Sequence, residues 1–169
     1  MSPPAEPEAG PLTDDDEMHQ AQMHRAMELL FFAYRDFTAV ADALLADFGF
    51  GRAHHRALYF VGRTPGMTVG ELLEVLKITK QSLARVLGQL VREGFIAQDA
   101  DSSDRRRRQL RLTAKGRDLD RRLVAEQSRL IRAAYRDAGA DAVGGFKQVL
   151  MGIINPEDRG RFEPKSGGS

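Results

Sequence analysis

The chain has 169 residues, 42% of them hydrophobic, no cysteine and a formal net charge of +1. That supplies core material for one domain or two small ones, while the lack of cysteine excludes disulfide staples, thiolate zinc sites and thiol redox sensing within the chain. No run of about 18 apolar residues occurs and no basic-then-apolar signal region opens the sequence, so a cytoplasmic location is expected, with no membrane insertion or secretion.

In chain order, residues 1–15 combine Pro3, Pro4, Pro7 and Pro11 with acids and almost no apolar side chains, the composition of a disordered tail. From Asp16 to Asp47 apolar residues recur every three or four positions (Met23, Met27, Leu30, Phe37, Ala41, Leu44, Leu45), predicting a long helix stopped by Gly49. A helix that long buries its stripe against a partner as well as against its own core. A second helix is expected over residues 52–62, around Ala57, Leu58, Phe60 and Val61, ending at Gly62 and the Thr64-Pro65-Gly66 turn.

Thr68-Val-Gly-Glu71 has the spacing of a capping box and opens a short helix ending near Lys77. Thr79 caps another through Glu93, with Leu83, Val86, Leu87 and Leu90 on its buried face and Gly94 as its left-handed stop. Two short helices around a tight turn make a helix-turn-helix. Phe95–Gln98 and Arg107–Leu112 then read as two strands joined by a loop over residues 99–106. Thr113 caps a helix to about Asp137, a last helix covers residues 140–154, and the chain from Asn155 to residue 169 reads as a flexible tail. The expected fold class is mainly α with a small β-hairpin wing.

The near-neutral total hides a separation of charge. Residues 1–47 carry 2 basic and 10 acidic side chains, whereas residues 77–122 carry 13 basic and 6 acidic. An excess of that size around the helix-turn-helix and hairpin is the footprint of a polyanion-binding face. Lys80, Gln81, Ser82, Ala84, Arg85 and Gln89 point away from the apolar face of the second helix, free to meet a major groove. Arg85 is the candidate for guanine and Gln81 for adenine, while Thr79 and Lys80 at the helix start suit a phosphate. The bland alternative is a merely solvated helix face.

Two segments carry a resemblance. Asp104-Arg-Arg106-Arg-Arg-Gln-Leu110-Arg-Leu112-Thr113-Ala-Lys-Gly116 is similar to the wing of the MarR family of bacterial winged-helix transcription regulators, and Leu76–Ile96 resembles that family's recognition helix and its exit. The resemblance covers residues 16–153. It implies that Arg106 enters a minor groove with Asp104 holding its guanidinium. Since strand side chains alternate, Arg105, Arg107 and Arg108 cannot all point one way, so at least one meets phosphate and another faces the protein. The resemblance also implies a homodimer, with residues 16–47 and 114–154 as a helical dimerisation region and residues 48–113 as the DNA-binding lobe. Two-fold pairing would suit a pseudo-palindromic operator.

Relatives that bind small molecules do so between these regions, where Tyr34, Phe37, Arg52, His55 and Tyr59 either line an effector pocket or simply pack. The four histidines are poorly spaced for a metal, no cofactor is implied, and no nucleophile, phosphate-loop or paired-carboxylate motif points to catalysis. The expected function is therefore double-stranded DNA binding by a homodimeric regulator, a repressor that occludes polymerase. The alternatives are an activator, or a winged-helix protein-interaction module with a neutral recognition face. One departure from the family pattern is Lys77, which stands in the turn where glycine is common; a left-handed lysine there costs on the order of 1 kcal/mol, tolerable if it reaches a phosphate.

Overall fold

A computed structural model describes residues 14–100 and 108–162. Its elements are α1 (Asp14–Ala46), α2 (Arg52–Arg63), β1 (Met67–Thr68), α3 (Val69–Leu76), α4 (Lys80–Arg92), β2 (Ile96–Ala100), β3 (Arg108–Leu112), α5 (Ala114–Ala138), α6 (Ala140–Ile153) and α7 (Pro156–Arg159), followed by a 3-10 turn over Gly160–Phe162. Among the described residues no helix is long and apolar enough to cross a membrane.

The local signals place the helix starts. Thr68 Oγ1 accepts from the Glu71 amide at 3.2 Å while the Glu71 carboxylate accepts from the Thr68 amide at 2.7 Å, closing the capping box of α3. Thr79 caps α4 by accepting from the Ser82 amide at 3.1 Å, and Thr113 caps α5 by accepting from the Gly116 amide at 3.1 Å. Gly94 ends α4 with φ +76°, the left-handed conformation its lack of Cβ allows.

The sheet holds one strand that periodicity does not predict. Its order is β1-β3-β2, all antiparallel, with Met67 opposite Leu110 and Thr68 opposite Gln109. Two residues are too short to carry an alternation signal. On the other side β2 extends to Ala100 opposite Arg108, so the ladder reaches into the segment expected as loop.

The core gathers Ala57, Leu58 and Val61 of α2, Leu72 of α3, Leu83 and Leu90 of α4, Phe95, Ile96 and Leu110 around the sheet, and Leu119 and Leu123 of α5. Ala41 and Leu45 of α1 join the same cluster. The end of α1 and the start of α5 thus pack into the same core as α2, α3, α4 and the sheet. A glycine makes the tightest junction: a Cβ on Gly116 would lie 2.0 Å from the Phe95 carbonyl oxygen. Around it the Thr113 amide donates to that same oxygen at 3.0 Å, and the Thr113 hydroxyl donates to the Gly94 oxygen at 2.6 Å. Lys115 completes the seam by donating to the Glu93 oxygen at 3.0 Å, with its ammonium 4.1 Å from the centre of the Phe95 ring.

Two expectations are corrected here. The chain beyond Asn155 is not wholly a tail: Pro156, with fixed φ and no amide to satisfy, starts α7. Arg159 then donates to the carbonyls of Gly152 and Ile154 at 2.9 Å, satisfying the end of α6. Lys77 is left-handed as expected, with φ 49°. Its ammonium, however, lies 2.5 Å from Glu157 Oε1 and 3.4 Å from Asp158 Oδ2, so in this structure it is held by α7.

Candidate nucleic-acid interface

The recognition surface follows from the burial of α4. Its apolar positions Leu83, Val86, Leu87 and Leu90 are 0–4% exposed, which fixes the rotation of the helix and turns Lys80, Gln81 and Arg85 outward. The described ion pairs engage Lys77, Arg111 and Arg121, leaving Lys80 and Arg85 outside them. Thr79 and Ser82 are less available. Their hydroxyls bond each other at 2.9 Å while Thr79 caps the helix, and Ser82 is half-buried.

Gln89 departs from the expected outward face. It is half-buried, its Oε1 lies 2.9 Å from His54 Nε2, and its amide nitrogen donates to Glu93 Oε1 at 2.9 Å. Helical spacing puts Gln81, Arg85 and Gln89 on one stripe, four residues apart. It carries no sign that α2 approaches the end of that stripe. The Gly51-His54 pair at the start of α2 could have raised the question, since histidine rarely faces solvent where it stacks on a buried phenylalanine.

In the wing, Asp104, Arg105, Arg106 and Arg107 lie outside the described residues. Arg108 is exposed at the start of β3. Sequence reasoning missed the ion pair between Asp99 on β2 and Arg111 on β3, which are diagonal neighbours across the ladder. The hydrogen bond to Arg111 holds the Asp99 carboxyl below its usual range. Arg111 thus braces the strands at the base of the hairpin, and its charge is already matched by a carboxylate.

The five residues grouped as an effector pocket separate. Phe37 and Tyr59 line a cleft of about 320 Å³ between α1, α2 and α5, together with Val124, Gln127, Ser128, Ile131, Arg132 and Tyr135. Tyr34 instead accepts at its hydroxyl from Arg56 at 2.8 Å, and Arg52 pairs with Asp42 at 3.1 Å. These stitch α2 to α1 beside the cleft. His55 is half-buried among them, its Nε2 buried without a partner, and burial pushes its imidazole below the ordinary value. The imidazoles of His54 and His55 are both half-buried.

Asp120 on α5 is a further buried polar group that periodicity could not reveal. It is 8% exposed with one oxygen unpartnered and the other 3.9 Å from Arg63. Burial raises its carboxyl, against the pull of Arg63. Among the described residues no group of three His, Asp or Glu side chains is arranged to hold a metal ion.

Comparison with known proteins agrees with this geometry. Residues 48–107 match the model of the MarR family. The chain is 46% identical over 142 residues to the HTH-type transcriptional regulator PetP of Rhodobacter capsulatus, covering 84% of this chain and 86% of the relative. It is 34% identical over 76 residues to the transcriptional activatory protein BadR of Rhodopseudomonas palustris, covering 45% of this chain and 42% of the relative. In fold it is similar to Streptococcus pneumoniae FabT, solved in complex with DNA, with a TM-score of 0.70 at 19% identity over 78% of this chain and 94% of that one. The chain belongs to the MarR family of winged-helix transcriptional regulators.

Proposed function

We propose that the protein binds double-stranded DNA as a homodimer at a pseudo-palindromic operator, in the cytoplasm, and represses by occluding polymerase. The observation that carries DNA binding is the outward Lys80, Gln81 and Arg85 on a helix whose opposite face is locked in the core. The arginine run of residues 105–108 follows it in sequence and would serve as the groove probe and phosphate contacts of the wing. A protein-interaction module would call for a neutral front, against Lys80 and Arg85.

The dimer is supported by what α1 leaves uncovered. Residues 15–36 are exposed throughout, including Met27, Leu30, Phe31 and Phe32, and α6 presents Phe146, Val149 and Ile153. Exposed apolar surface on this scale calls for a partner, and a second copy would place two recognition helices about 34 Å apart, one turn of duplex. The cleft at Phe37 and Tyr59 suits a small aromatic anion, with rings on its walls and Arg132 as the cation at its edge. Its occupation would alter the spacing of the two lobes and so the affinity for DNA.

Footprinting of the purified protein on genomic DNA, with retardation of bound and random duplexes at two salt concentrations, tests the reading. A two-fold symmetric footprint and a specific complex that outlasts random binding at the higher salt are expected; equal loss of both would overturn sequence specificity. The likeness to a relative named as an activatory protein favours activation as a second reading. Transcription in vitro from the footprinted promoter distinguishes the two signs.

A further inference from the structure

A chain of hydrogen bonds runs from the start of α2 into the recognition helix. The Gly51 amide donates to His54 Nδ1 at 3.1 Å, His54 Nε2 meets Gln89 Oε1 at 2.9 Å, and the Gln89 amide nitrogen donates to Glu93 Oε1 at 2.9 Å. Its polarity is determined at both ends. A backbone amide can only donate, so Nδ1 must carry a lone pair; a carboxylate can only accept, so Gln89 must turn its nitrogen to Glu93 and its oxygen to the imidazole. Only the neutral ring with its proton on Nε2 satisfies every member. The ring is also stacked on Phe50, with centroids 4.8 Å apart and planes 8° from parallel, and Phe50 packs edge-on against buried Phe95.

We propose that His54 is a positioning residue for DNA recognition: neutral and protonated on Nε2, it draws Gln89 inward and holds the end of the α4 stripe that lies one turn beyond Arg85, so that protonating the ring weakens duplex binding. The anchor is well placed for that task. Gln89 follows Gly88, where helix propensity is poorest, and lies one turn beyond Arg85 on the same stripe. Imidazolium would turn a second N–H against the Gly51 amide and remove the cap-like bond at the start of α2.

The charged groups facing the ring come from α4, Glu93 favouring the imidazolium and Arg85 opposing it, while Phe50 offers an uncharged face. Burial is the largest influence and holds the imidazole below its ordinary value; the Gln89 hydrogen bond and Glu93 pull the other way. Because the folded value is depressed, the contribution of the neutral ring is fully present above the ordinary histidine range. It is lost as pH falls through the folded value.

The inference rests on the reading that α4 enters the major groove, and the test separates the two. The probe is a duplex selected by the wild-type protein from a random-sequence pool, with affinity measured at pH 7.5 and at a pH below the His54 transition, which is located by NMR titration of the ring. His54→Phe keeps the stacked ring and removes both nitrogens; at pH 7.5 it should bind about 3- to 10-fold more weakly than wild type. Below the His54 transition the gap should close, since wild type has lost the same bonds, and any pH dependence left in the variant belongs to His55 and other groups. Gln89→Leu should lose as much, with no further loss when combined with His54→Phe. Long-range proton–nitrogen NMR of the wild-type chain should find the Nε2-protonated tautomer at pH 7.5.

Wild-type affinity in His54→Phe, a gap unchanged between the two pH values, additive losses in the double variant, or a proton on Nδ1 would each overturn the proposal. Arg85→Ala serves as the control. If it weakens binding while His54→Phe does not, the proposal alone fails; if neither matters, the reading of α4 fails with it.

Discussion

The helical arms are richer in apolar residues than the lobe, yet the two are finished differently. In the lobe Leu58, Val61, Leu72, Leu90 and Leu110 are fully buried, and every helix start there is capped by a threonine or a histidine. Along α1 from residue 15 to 36 and along most of α6 the apolar side chains stand in solvent. The contrast separates two groups of apolar residues in one sequence: those that the fold buries, and those that it leaves exposed.

Five substitutions probe that division, in descending order of effect. Gly116→Ala drives a methyl group to 2.0 Å from the Phe95 oxygen, so it should destabilise the lobe by about 3 kcal/mol or more in urea unfolding. A near-native midpoint would mean that the seam yields and the lobe is less rigid than its packing implies. Leu30→Asp, in the uncovered stripe of α1, should weaken self-association by roughly 100-fold in sedimentation at unchanged helicity. An unchanged association constant would exclude this face from the interface.

On the DNA side, Arg85→Ala and Arg106→Ala should each weaken duplex binding by on the order of 1–3 kcal/mol, with association intact. Arg85→Ala should relax preference at one base position, whereas unaltered retardation by Arg106→Ala would remove the wing from the interface. Gly88→Ala should give the smallest effect and one of opposite sign. A Cβ there meets nothing within 4 Å, so thermal unfolding should show a gain of about 0.5–1 kcal/mol. If DNA affinity falls as stability rises, α4 approaches the duplex closely at that point.

Much of this was legible because it is local. The capping box of Thr68 and Glu71, the caps at Thr79 and Thr113 and the stop at Gly94 depend on neighbours within four residues, and helical periodicity identified the buried face of α4. What escaped notice depends on partners far apart in sequence. Gln89 looked like part of the reading stripe until α2, 35 residues earlier, brought His54 to it. Lys77 looked free for a phosphate, yet meets Glu157 eighty residues later. β1 has no pattern of its own and exists only because β3 lies beside it. Asp120, one residue after Leu119 on α5, is buried against Gly62 and Arg63 at the end of α2, some sixty residues earlier.

The seam at Gly116 has a mechanical consequence. Three consecutive carbonyls at the exit of α4 and the start of β2, those of Glu93, Gly94 and Phe95, are gripped by Thr113 and Lys115 at the root of α5, with no room for a methyl group between them. A joint without slack transmits displacement instead of absorbing it. The far half of α5 lines the cleft at Phe37 and Tyr59, so a tilt imposed there would be delivered along a stiff rod to the end of the recognition helix. One missing side chain thus makes α5 a lever whose short arm ends at α4.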